Sequence, residues 1–187
     1  MPDNDFGCTV WGKDWVRLAE PLSQTRPDPQ LPRARRLARD GRVQVTLDGR
    51  TVHAVIQHGR TTSVANLEVA PMSQETVAGI SQRLSGAQPA LTEELYRAIV
   101  EAGHRPAPKL VGVDCSCSAD TPRCVHVLAV HYEMARYIDD DPRVALDVQG
   151  FFRASSDTAR APTAVTASQR WIALNALNAA DYFTVST

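Results

Sequence analysis

The chain has 187 residues, 43% of them hydrophobic and 22% charged, with a formal net charge of −1. That length fits one ordinary domain, alone or with a small module, and the apolar fraction excludes wholesale disorder. No run of eighteen apolar residues exists to suggest a membrane partner, and a charge near zero excludes a histone-like basic coat.

The N-terminus, Met1-Pro2-Asp3-Asn4-Asp5, is acidic and lacks the apolar run of a secretory signal. A cytoplasmic location is therefore expected. There the four cysteines stay reduced, and clustered cysteines bind metal more often than they pair. Charge is unevenly spread. Residues 1–32 hold three basic and five acidic side chains, whereas residues 33–60 hold seven arginines against Asp40 and Asp48. The neutral total thus conceals a basic segment that begins Arg33-Ala34-Arg35-Arg36-Leu37-Ala38-Arg39.

In chain order, Trp11 to Glu20 reads as a short helix with Trp11, Trp15 and Leu18 on one face. Pro21 and the stretch from Arg26 to Pro32 break it into a linker. Three alternating sets follow: Val43, Val45, Leu47; Val52, Ala54, Ile56; and Ala65, Leu67, Val69. Asp48-Gly49 and His58-Gly59 between them predict an antiparallel meander with one buried face. Two helices are expected next, one starting at Ser73 and one capped by Thr92 with Leu95, Ile99 and Val100 as its apolar stripe. Gly103 ends the second, and the apolar run Leu110 to Val113 leads into the cysteines. Residues 154–168, rich in Ala, Ser and Thr, read as a flexible linker before a small docking helix from Trp171 to Phe183.

The strongest chemical signal is Cys115-Ser116-Cys117, six residues, then Cys124-Val125-His126. Three thiolates and an imidazole are the ligand set of a closed, tetrahedral structural zinc site. One zinc ion is expected, held by Cys115, Cys117, Cys124 and His126, joining a strand end to a helix that Pro122 opens. With all four positions filled by protein, no open position remains for water activation. No Gly-rich phosphate loop, G-x-S-x-G or H-E-x-x-H motif occurs, and a non-catalytic protein is expected.

The pattern C-x-C-x6-C-x-H resembles the SWIM zinc finger. Phe6-Gly7, Thr9, Trp11-Gly12 and Trp15 resemble the opening of a bacterial SWIM-protein family, and Arg33 to Val43 resembles its basic segment entering the first strand. Val55 to Arg60 is similar to its second strand, with His58 in place of a glycine. Asp139 to Pro142 and Gln149 to Phe152 resemble the segments after its finger, so the likeness covers roughly residues 6–153. A lysine content of only Lys13 and Lys109, amid many alanines and arginines, suits a GC-rich bacterial genome. The resemblance implies nucleic-acid or protein binding and a partner such as a Snf-type helicase-like ATPase. It carries over the four ligands and no catalytic residue.

Arg33, Arg35, Arg36, Arg39 and Arg42 are the candidates for contact with DNA or RNA, since phosphate contacts dominate such affinities. The competing reading is a solvated basic face paired with nearby acids. Trp11 and Trp15 read as core anchors, Cys8 as a small buried side chain, and His53, His58 and His104 as isolated. His131, five residues after His126, is off the face that a second ligand requires. The expected fold is α+β in four segments. Residues 1–32 form a helix and linker; 33–108 a small antiparallel sheet and two helices; 109–153 the finger and its helix; and 154–187 a linker and docking segment.

Overall fold

The computed structural model describes residues 6–26, 28–84, 90–119 and 121–159. Among them lie seven helices and one four-stranded antiparallel sheet, an α+β fold as the sequence predicts. The strands β1 (Val43–Asp48), β2 (Thr51–His58), β3 (Thr61–Val69) and β4 (Leu110–Cys115) sit in the order β1-β2-β3-β4. Gly49 and Gly59 each take a positive φ at the first position of a two-residue turn, where a type II′ hairpin needs glycine. Val52, Ala54, Ile56, Ala65, Leu67 and Val69 fill the inner face, and Val55 and Val64, paired across β2 and β3, stay on the wet one.

The helices are α1 (Val10–Ala19), α2 (Leu31–Arg39), α3 (Gln74–Ser81), α4 (Glu93–Glu101), α5 (Val125–Asp140), α6 (Arg143–Asp147) and α7 (Phe151–Ala159). Thr9, Ser73 and Thr92 cap α1, α3 and α4, each side chain accepting a backbone N–H three residues on. The central element is α5. It is buried along most of its length and packs against α1 and α2, as well as β1, β3 and β4. Trp11 and Trp15 of α1 are fully buried, in agreement with their reading as core anchors. No helix of the described residues is long and apolar enough to cross a membrane.

Four expectations are corrected. The linker expected up to Pro32 stops at Gln30, and the basic segment expected to enter β1 is itself helical over residues 31–39, with Pro32 in the first turn. Leu31, Ala34, Leu37 and Ala38 bury one face of α2 while its arginines line the other. Val100 is 47% exposed and lies outside the buried stripe of α4, which Ile99 carries. Cys8 is exposed and not a small buried side chain; its backbone N–H donates to the Asp139 carboxylate at 2.9 Å, which holds this stretch at the surface beside the end of α5. Finally, residues 154–159 continue α7 and are not linker, whereas Trp171 to Phe183 lies outside the described residues.

Candidate metal centre

Two elements meet at the cysteines. Cys115 ends β4, opposite Ala65 of β3. Ser116 prolongs that pairing: its N–H donates to the Val64 carbonyl at 2.8 Å and its hydroxyl accepts from the Val64 N–H at 2.9 Å. Fixing Ser116 to β3 leaves its neighbours Cys115 and Cys117 directed to the other side, as alternation along an extended chain requires. Cys124 is the N-cap residue of α5 and His126 the second residue of that helix. Pro122 precedes the helix and does not occupy its first turn.

The ligand atoms of Cys115, Cys117, Cys124 and His126 all lie within 4.8 Å of one another. A tetrahedral site with bonds of about 2.0–2.3 Å has edges of about 3.3–3.8 Å. Cys115 Sγ and His126 Nδ1 stand 3.9 Å apart, so a small contraction closes the set on one ion. Cys124 and His126 are buried and form the floor. Cys115 and Cys117 are half-buried and open onto a cleft of about 590 Å³, also lined by Asp114, Thr121 and Pro122. The donor set fits a metal ion on both composition and spacing.

The electrostatics favour the same use. Burial pushes the Cys115 thiol up to about 12, with the neighbouring Cys117 and Cys124 thiols adding to the rise. Burial also raises Cys117, but hydrogen bonds from the Ala119 backbone and from the Cys115 and Cys124 thiols outweigh it and leave Cys117 lowered. Cys117 is thus the readier of the two thiols to lose its proton and Cys115 the more reluctant, and a bound divalent cation would favour the thiolate form of both. His126 is lowered by burial, then by His58 and Arg33, which keeps its imidazole neutral and able to ligate.

His58 is not isolated. It ends β2, and its Nδ1 lies 3.3 Å from His126 Nε2, with the two rings edge-to-face at 5.5 Å. The alternation Val52, Ala54, Ile56, His58 carried a signal for this, since it puts His58 on the inner face of the sheet. His104 packs over Gly79, where an added Cβ would meet its ring, and His53 pairs with Asn66 at 2.8 Å. His131 is buried against Trp15 and far from a ligand's role.

The arginines divide. Arg35 is half-buried, contacts Glu20 at 2.5 Å and lies over the Tyr132 ring, tying α2 to α1 and α5. Arg36 pairs with Asp40 at 3.6 Å, and Arg33 reaches His58. Arg33, Arg36, Arg39 and Arg42 are exposed. Asp139, within the aspartate run, does its work elsewhere: its carboxylate accepts from the backbone N–H groups of Gly7, Cys8 and Thr9 at 2.7–2.9 Å. No family model, curated protein or solved structure matches the chain.

Proposed function

We propose that this chain is a zinc-binding, non-catalytic protein of the SWIM type that acts as a nucleic-acid-binding accessory factor. The observation that carries the reading is the convergence of three thiols and one imidazole from the end of β4 and the start of α5. Four protein ligands complete a tetrahedron, so the ion holds the strand to the helix and leaves no position for substrate. Beside it, α2 buries its Leu and Ala face and presents Arg33, Arg36 and Arg39 outward, with Arg42 just beyond. These are phosphate-binding side chains on a rigid element, suited to either DNA or RNA.

The test has two arms. Metal analysis of the purified chain is expected to find one zinc per molecule, and Cys117→Ser to abolish it. A variant that keeps a stoichiometric ion would sink the ligand assignment. Anisotropy with single- and double-stranded DNA and with RNA, across a salt series, is expected to show binding that weakens steeply with salt. Changing Arg36 and Arg42 to Ala reduces the log–log salt slope by about one per phosphate contact removed. Arg35 is unsuited to this test, because its loss breaks the link to Glu20.

A second reading is a protein adaptor docking onto a larger assembly such as a helicase-like ATPase. The exposed pair Val55 and Val64 on the outer face of the sheet favours it. Absence of nucleic-acid binding at low salt moves this reading to the front.

A further inference from the structure

A cleft of about 300 Å³ lies between α2 and the β2–β3 turn, lined by Arg33, Arg36, Arg42, Gln57 and His58. Asp40 also lines it and pairs with Arg36, so the walls carry a formal charge of about +2. His58 faces two ways. Its Nδ1 meets the ligand His126, and its Nε2 meets Arg33 in the cleft.

We propose that this cleft binds a phosphate group, and that His58 completes it when the metal centre is filled. The inference rests on the zinc reading above. A guanidinium only donates, so while Arg33 points at His58, Nε2 of that ring accepts and its hydrogen sits on Nδ1. That hydrogen is directed at His126 Nε2, which places the His126 hydrogen on Nδ1, the atom facing the thiols. Nδ1 in that state holds no ion. With an ion held at Nδ1, the His126 hydrogen would sit on Nε2, which would then donate to His58 Nδ1. His58 then carries its own hydrogen on Nε2, aimed into the cleft. Neither imidazole gains or loses a proton overall; each hydrogen changes nitrogen.

Filling the metal site therefore turns His58 from the acceptor of Arg33 into a second donor beside it. Two donors facing each other repel, and an oxyanion that accepts from both restores the contact. Arg36 and Arg42 supply further donors from the same walls. The ligand is a phosphate group, either a link of a nucleic-acid backbone or free phosphate.

The experiment uses the zinc-loaded full chain as wild type, His58→Phe, His58→Gln and Arg42→Gln. Each is checked for one bound zinc and native circular dichroism. Inorganic phosphate is titrated by calorimetry, and labelled oligothymidylate by anisotropy. Gln keeps an acceptor for His126 and a donor for the cleft, whereas Phe keeps only volume. His58→Phe and Arg42→Gln are expected to weaken phosphate binding about tenfold, the loss typical of one hydrogen bond to a charged group. His58→Gln is expected to stay within about threefold of wild type, a rescue that a packing role would not give.

Phosphate affinity indifferent to both damaging changes overturns the site. Salt-sensitive DNA binding that survives that result keeps the nucleic-acid reading without it. Phosphate binding that follows the variants without DNA binding supports the site, assigns it free phosphate and removes the nucleic-acid reading. A wild-type chain that takes up no zinc overturns the metal reading and the coupling together.

Discussion

At the scale of single residues, Asp139 explains much of the N-terminal pattern. Its carboxylate takes the backbone N–H groups of Gly7, Cys8 and Thr9 and the Thr9 hydroxyl at 2.8 Å. The same hydroxyl accepts from Gly12 N–H as the N-cap of α1, so an acid at the end of α5 sits on the positive end of α1. Gly7 takes φ +71, and a Cβ on Gly12 would stand 2.2 Å from Asp139 Oδ1. Glycine at both places is thus a requirement of the contact. Asp139→Ala strips four donors of their acceptor and is expected to cost about 3 kcal/mol in urea unfolding, with Gly12→Ala also destabilising. A loss under about 0.5 kcal/mol for Asp139→Ala would deny the contact that role.

His131 gives a second residue-scale prediction. Burial, then Arg123, lowers it to about 3, and its Nδ1 has no hydrogen-bond partner. Below pH 6.5 the unfolded chain takes up a proton that the folded chain refuses, so stability falls as the pH drops towards 3. Between pH 7.5 and pH 5 the wild type is expected to lose about 2 kcal/mol more than His131→Leu. Parallel pH profiles for the two proteins would show that His131 is not buried neutral.

At the scale of elements, the three-strand meander and the helices α3 and α4 were legible because alternation, Gly turns and Ser or Thr caps all agreed. The four residues that converge as a candidate metal centre were legible from residue type and spacing alone, within the short stretch from Cys115 to His126. The helix α2 was not. Its buried face is Leu31, Ala34, Leu37 and Ala38, and two alanines give little apolar contrast against four arginines and a proline. What holds it is tertiary: Arg35 with Glu20, and Arg136 donating to the Ala38 carbonyl at 3.2 Å near its C-terminus. Contacts such as His58 with His126 and Asp139 with Gly7 join residues far apart in sequence, where no local pattern pairs them. Arg35→Ala is expected to cost about 1–2 kcal/mol, since it also leaves Tyr132 and Glu20 without their cation. Arg36→Ala, mostly in solvent and in a surface i,i+4 pair, should change urea stability by no more than about 0.5 kcal/mol.

At the scale of the whole molecule, α5 is fastened at both ends by different chemistry. Its first turn brings Cys124 and His126 up to Cys115 and Cys117 at the end of β4, a group that could hold one metal ion, and its last turn is tied to the start of α1 through Asp139. Between them its middle is buried against α1, α2 and the sheet. On the proposed zinc reading, only the first of these depends on a metal. Zinc in such sites contributes on the order of 10 kcal/mol of apparent free energy, yet removing it leaves the apolar packing of α5 in place. Chelation is therefore expected to open the molecule from one end. Hydrogen exchange should rise in β4 and through residues 116–119 and 121–126, while amides of α1 and of α5 beyond Leu128 keep most of their protection. A uniform loss of protection on chelation would mean that the metal centre, and not the helix, is what the fold is built around.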